Sequence, residues 1–254
     1  MAEMKFDKEH DLLIVPDVHG RDFWREPVMG GHYEHVVFLG DYTDPYPQEY
    51  IENDEAVEVF REIINFAEDH PGRVTLLLGN HDMHYVSDTF ERRAKGSRYA
   101  FSLHRPMVKL YQMHQHLFTL AIEADYEGRH CLITHAGVAS GWLEKHKEIV
   151  GEPTADNINR LMDSDEGIIA LADIGWSRGG WAKVGGPMWA DCSELMESEP
   201  LPGVFQIFGH TQNFERQPVI TPYLACLDCH RTFLLSEVLQ MADQAAASEQ
   251  DGIK

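Results

Sequence analysis

Three short apolar runs, each ending in a cluster of ligand-type polar residues, constrain this chain more than any other feature. Leu12–Val15 leads into Asp17-Val18-His19-Gly20 and His35–Leu39 into Gly40-Asp41-Tyr42-Thr43-Asp44. Val74–Leu78 leads into Gly79-Asn80-His81-Asp82. Runs this short and rich in Val, Ile and Leu read as strands buried on both faces. Between the second and third, Ala56, Val57, Val59, Phe60, Ile63, Ile64 and Ala67 recur at helical spacing within Ile51–His70, and Pro71-Gly72 stops the helix. Strand–helix–strand order implies a mostly parallel sheet, where ligands gather at the carboxyl ends of strands. All three polar clusters sit at such ends, so residues far apart in sequence can converge.

Farther along, Tyr99–His116 reads as a helix despite Pro106. Leu117–Ala124 and Arg129–Thr134 read as an antiparallel pair about Tyr126-Glu127-Gly128, the second strand delivering His135-Ala136-Gly137. Trp142–Ile149 and Asn157–Ala172 are expected helices, and the Gly- and Trp-rich Gly175–Gly186 an irregular loop. Val204–Phe208 is an expected strand ending in Gly209-His210-Thr211, followed by closing strands at Val219–Thr221, Tyr223–Leu227 and Thr232–Leu235. No linker-like composition divides the 254 residues, so one α/β domain is expected over 1–240. Residues 241–254, small and polar, are expected to form a flexible C-terminal tail.

Charge narrows the partners. Lys and Arg total 21 against 42 Asp and Glu, a formal net charge of -21. A field of that sign disfavours nucleic-acid polymers and anionic membranes, so a small anionic substrate needs a local source of positive charge. No basic, apolar leader opens the chain, and no apolar run approaches the roughly 20 residues that span a bilayer. A cytoplasmic location is expected. Four cysteines at this length do not suggest a disulfide framework. Cys226-Leu227-Asp228-Cys229-His230 formally matches a haem-attachment pattern, but it falls in a strand-like run where attachment chemistry has no access. A zinc site on Cys226 and Cys229 lacks two obvious further ligands.

The remaining donors fit a two-metal site. Asp17, His19 and Asp41 can hold one ion, and Asp41, Asn80, His135 and His210 the second. A shared carboxylate such as Asp41 is what brings two ions to ~3.5–4 Å, close enough to clamp one phosphate. Mixed nitrogen and oxygen donors without thiolate suit Mn, Fe, Zn or Co. Such ions supply the positive charge an otherwise acidic chain lacks.

The ordered set Asp-x-His-Gly, Gly-Asp-x-x-Asp, Gly-Asn-His-Asp, His-Ala-Gly and Gly-His-Thr, running from Asp17 to Thr211, resembles the calcineurin-like metallophosphoesterases. Within them it looks most like bacterial and phage members of the phosphoprotein-phosphatase branch, which include diadenosine tetraphosphate hydrolases. Met188-Trp189-Ala190-Asp191 resembles that branch's Trp-Ser-Asp segment. The resemblance implies a four-layer αββα sandwich, the six metal ligands above, His81 as general acid and Asp44 as its partner. A neighbouring carboxylate is expected to raise the His81 pKa toward the imidazolium. The implied reaction is in-line attack by a metal-activated hydroxide on a phosphate monoester, phosphoserine or phosphothreonine in proteins included. A dinucleoside polyphosphate hydrolase is the alternative, and a non-catalytic metal-binding scaffold the second alternative.

One departure stands out. The branch commonly continues its second motif as Asp-Arg-Gly, with the arginine gripping phosphate, whereas Asp44 here precedes Pro45-Tyr46-Pro47. Arg178, in Ser177-Arg178-Gly179-Gly180, is the expected replacement beside Asn80 in substrate binding, with Arg92, Arg93 and Arg98 as second choices. Asp82 is expected at the solvated surface. Trp176, Trp181 and Trp189 are expected to pack under the long loop rather than form a stacking wall. His84, His104, His114 and His116 are expected to be structural or exposed.

Overall fold

Period-two alternation sorts the buried strands onto two surfaces. The computed structural model describes residues 3–213 and 215–252. Its strands, in chain order, are β1 (Met4–Phe6), β2 (Leu12–Val15), β3 (His35–Phe38), β4 (Val74–Leu77), β5 (Phe118–Thr119) and β6 (Ala121–Tyr126). They continue with β7 (Arg129–Thr134), β8 (Phe205–Phe208), β9 (Val219–Ile220), β10 (Leu224–Cys226) and β11 (Phe233–Leu234). One sheet has the order β11-β2-β3-β4-β5, parallel throughout except for β11 at its edge. The other has the order β1-β6-β7-β8-β10-β9 and mixes parallel pairs with the β6–β7 hairpin, registered from Ala121↔Thr134 to Tyr126↔Arg129.

Leu12, Ile14, Val37, Leu39 and Leu77 of the first sheet share one buried layer with Ile122, Cys131, Ile133, Phe205 and Ile207 of the second. The alternate residues Leu13, Val15, Val36, Phe38 and Leu76 belong instead to the cluster that holds Phe60, Ile63 and Ile64 of the helix Asn53–Asp69. Leu132 of the second sheet lies in that cluster with Trp142, Ile158, Leu161 and Leu171, all from helical segments. The expected four-layer αββα sandwich is what forms. Complete burial of each such large side chain contributes roughly 1.5–3 kcal/mol, so the alternation decides which way every strand faces.

Several elements differ from expectation. The run Leu117–Ala124 is not one strand: Phe118 and Thr119 extend the first sheet beside β4, and after Leu120 the chain crosses to the second as β6. A single apolar run therefore serves both sheets, which periodicity alone cannot divide. Asn157–Ala172 breaks into Ala155–Asn159, a 3-10 turn and Asp165–Leu171, because Ser164 caps the last helix by accepting from Gly167 N–H at 3.0 Å. Trp142–Ile149 is likewise two short helices, Ser140–Lys145 and Lys147–Val150. Pro106 is tolerated because it falls in the first turn of the helix His104–Met113, where its missing N–H would lack an intrahelical partner anyway.

The flexible tail expected at 241–254 gives way to a helix, Leu235–Gly252. Leu235, Val238 and Leu239, which precede the expected tail, sink into the layer between the sheets together with Ala242, so the helix is fastened at its start. Residues 1–2, 214 and 253–254, which the domain and tail expectations include, lie outside the described residues.

Candidate metal centre

Each expected ligand leaves the carboxyl end of a strand. Asp17 and His19 follow β2, Asp41 follows β3, Asn80 follows β4, His135 follows β7 and His210 follows β8. His19, Asp41 and His210, with Asp44, have left-handed backbones at φ 46, 52, 63 and 59. Non-glycine residues hold that conformation at a cost of roughly 1–3 kcal/mol each, and such strain collects at functional sites. Gly79 is required by close approach: a Cβ there would sit 2.2 Å from Asp41 Oδ1.

The donors converge in two buried groups, Asp17–His19–Asp41 and Asp41–His135–His210, whose ligand atoms lie within 4.8 Å of one another inside each group. His19 Nδ1 donates to Thr43 O and His135 Nδ1 to Leu39 O, both at 2.8 Å, so each neutral ring turns an Nε2 lone pair inward. His135 Nε2 is 3.0 Å from Asn80 Oδ1, 3.1 Å from His210 Nδ1 and 3.7 Å from Asp41 Oδ1. Asn80 Nδ2 and His210 Nε2 are buried without a partner among the described residues. Three converging carboxylate and imidazole groups in each set, with His210 Nε2 unpartnered, suit a cation.

Electrostatics agree. Burial, then the charges of Asp17 and Asp82, push the Asp41 carboxyl well above its ordinary range, outweighing the backbone hydrogen bond from His81 and the Arg98 charge. Burial, followed by nearby cationic groups, holds His19 and His210 well below the usual imidazole range. Neutral imidazoles are the form that ligates metal.

His81 lies beside this cluster, its ring edge-on to His19 at 5.2 Å. Its Nδ1 donates to Asp44 Oδ2 at 2.9 Å, as the expected pairing requires. The expected direction of its pKa does not hold. Burial drives the ring down to about 4, outweighing the hydrogen bond to Asp44, and Arg98 pushes the same way. Burial alone would raise Asp44, yet His81 and His84 bring its carboxyl down to about 2.

The expectation of a solvated Asp82 does not hold, whereas His84 is structural, one of the two outcomes expected for it. Asp82 is fully buried rather than solvated: its carboxylate accepts from the backbone N–H of Asp41 and Gly79 at 2.7 Å and of Tyr42 at 3.2 Å, and from Tyr111 Oη at 2.6 Å. It fastens β3's ligand loop to β4's. His84 is also buried, with Nε2 2.8 Å from Asp44 Oδ2 although off the ideal hydrogen-bond angle, and Tyr85 Oη donates to Asp44 Oδ1 at 2.8 Å. Its place at the fourth position after Asn80, one helical turn on, was the available signal. Asp228, set aside with the cysteine pattern, is buried with both oxygens unpartnered among the described residues; burial, then Asp17, raises its pKa well above the ordinary range. Cys226 and Cys229 beside it are buried free thiols, which leaves haem attachment no access.

A cavity of about 310 Å³ opens over the cluster, lined by Asp41, Asn80, His81, Arg98, Arg178 and His210 among others. Arg178 reaches it with Nε 2.9 Å from Asp191 Oδ2 and Nη2 donating to Thr211 Oγ1 at 2.8 Å. Arg92 and Arg93 line a different surface hollow with Thr89. Trp189 borders the site edge-on to His210 at 5.7 Å, but Trp176 and Trp181 are 67% and 97% exposed, not packed beneath their loop.

A two-sheet sandwich with carboxylate, imidazole and amide groups gathered at its strand ends is the architecture of the metal-dependent phosphoesterase class. The sequence model of the calcineurin-like phosphoesterase family matches residues 11–213, so the chain belongs to that family. No curated protein sequence matches it. Among solved structures it is similar to a protein serine/threonine phosphatase from Saccharomyces cerevisiae with similarity to human phosphatase PP5, at 16% identity and a TM-score of 0.35. That alignment covers 54% of this chain and 42% of the yeast chain. No helix among the described residues is long and apolar enough to cross a membrane.

Proposed function

We propose that this chain hydrolyses phosphate monoesters, phosphoserine and phosphothreonine in proteins among them. Asp17, His19 and Asp41 hold one metal ion and Asp41, Asn80, His135 and His210 a second, drawn from Mn, Fe or Zn. The reading assigns this chemistry to one domain, 1–240, acting in the cytoplasm. The observation that carries it is the meeting of both ligand groups with His81 and two arginines at one cavity. Ions bound there acidify water and neutralise phosphate charge.

The chain's own groups do the rest. With Nδ1 committed to Asp44, His81 carries its transferable proton on Nε2, which it gives to the departing ester oxygen before recovering a proton from solvent. At a pKa of about 4 the free ring is neutral near pH 7. A bound phosphate dianion offsets the Arg98 charge and favours the imidazolium, so His81 becomes an acid on substrate binding. Asp44 stays ionised and fixes the ring's orientation. Asn80 and Arg178 hold the phosphoryl group from either side.

A second reading, hydrolysis of a dinucleoside polyphosphate, rests on exposed Trp176 and Trp181 in the loop that carries Arg178, since exposed indoles stack on nucleobases. Manganese-restored protein offered a phosphoserine peptide and diadenosine tetraphosphate in parallel separates the two. Turnover of the peptide alone supports the first reading, and preference for the dinucleotide moves the assignment to the second. Turnover of neither withdraws both and leaves the scaffold.

A further inference from the structure

The cavity has two guanidinium walls, and they are not equivalent. Arg178 already shares its charge with Asp191 at 2.9 Å. Arg98 has no carboxylate partner among the described residues. Its Nε donates to Asp44 O at 2.8 Å, its Nη2 lies 3.2 Å from His19 Nε2, and its guanidinium lies 3.7 Å from the centroid of the Tyr46 ring. Nη1 has no partner among the described residues, at a cavity shared with Asn80 and His81.

These anchors explain the departure at Pro45-Tyr46-Pro47. The segment that lacks an arginine supplies Tyr46 instead, and Tyr46 is the shelf on which Arg98 stacks. The loop delivering Arg98 is fitted to the same place. Gly96 N–H donates to His84 Nδ1 at 3.1 Å, and a Cβ at position 96 would stand 2.7 Å from His81 Cε1. Lys95 and Ser97 of that loop line the cavity as well. The stretch 95–98 thus closes over His81 and hands an unneutralised cation to the ligand cluster.

We propose that Arg98 is a further phosphoryl-gripping residue beside Arg178 and the specificity-determining one, selecting monoesters over diesters. This rests on the monoester reading above. A monoester phosphate has three terminal oxygens and two charges near neutral pH, whereas a diester has two such oxygens and one charge. A fixed guanidinium beside the cluster favours the group with the extra oxygen and the extra charge.

The test compares wild type with Arg98→Met, which keeps an apolar stem against Tyr46, and Arg98→Lys, which keeps the charge. Each is loaded with manganese, checked for equal metal content and Tm, and assayed on p-nitrophenyl phosphate and bis(p-nitrophenyl) phosphate. Nitrophenolate leaves without a general acid, so disturbance of the neighbouring His81–Asp44 pair does not masquerade as lost binding. Arg98→Met is expected to lose about a hundredfold in monoester kcat/KM and no more than about threefold with the diester, with partial recovery in Arg98→Lys. Calorimetric titration of inorganic phosphate should weaken about tenfold or more in Arg98→Met. An unchanged monoester-to-diester ratio with unchanged phosphate affinity overturns the assignment. If wild type itself prefers the diester, the monoester reading falls, and the phosphate titration still decides whether Arg98 grips the anion.

Discussion

The metal cluster and the substrate wall above it are built on opposite principles. Ligands of the cluster leave the ends of five buried strands and are almost fully enclosed: Asp17, His19, Asp41 and Asn80 are 1–2% exposed and His135 is 0%. Their orientations are set by the carbonyls Thr43 O and Leu39 O behind the imidazoles and by the Asp82 carboxylate beneath the β3 and β4 loops. The wall comes from loops: 95–98 on one side and 174–189 on the other, with Arg98 half-buried and Trp181 in open solvent. On the proposed function, the difference teaches that the sandwich fixes the chemistry, whereas loops decide which phosphate is admitted.

Substitutions can break this contrast in order of expected size. Asp41→Asn, at the carboxylate both ligand groups share, should abolish turnover by about a thousandfold or more and lower bound metal as read by elemental analysis. Retained metal and activity would separate the cluster from the reaction. His81→Gln should lower kcat for an alkyl phosphate by about 10²–10⁴-fold and leave metal content unchanged. The loss should shrink for p-nitrophenyl phosphate; an equal loss on both esters would remove His81 from proton transfer.

On the wall, Arg178→Ala should reduce kcat/KM by about tenfold or more, less than a change at a ligand because its charge is already shared with Asp191. Unchanged kinetics would take Arg178 out of the site. The smallest effect is expected beneath the cluster. Tyr111→Phe removes one donor from Asp82, at a cost of about 1–3 kcal/mol read by thermal or denaturant unfolding, with activity retained. Lost activity with unchanged stability would mean that Asp82 acts on the chemistry and not on the scaffold.

The same contrast explains what could be read from sequence. Strand-end ligands were legible because buried strands write continuous apolar runs and the donors follow directly, so β2, β3 and β4 carry their own signposts. Asp82 was missed because helix periodicity describes which face a residue occupies but not that a first-turn carboxylate folds back to bind three N–H groups of two loops. The His81 pKa came out in the wrong direction because one neighbour, Asp44, was visible while burial and Arg98 were not. Arg98 was only a second choice: 54 residues separate it from Asp44, and no local pattern announces that contact. The split of 118–124 between two sheets and the burial of Ala242 are tertiary outcomes of the same kind.

The central claim is that the converging ligands hold metal on which phosphate release depends. The most direct measurement strips wild type with a chelator, then titrates Mn²⁺ back while following both bound metal and phosphate released from a phosphoserine peptide. The account predicts that turnover is lost on stripping and returns in step with metal binding. Turnover that survives complete stripping, or full metal occupancy without turnover of either monoester or dinucleotide, would contradict it.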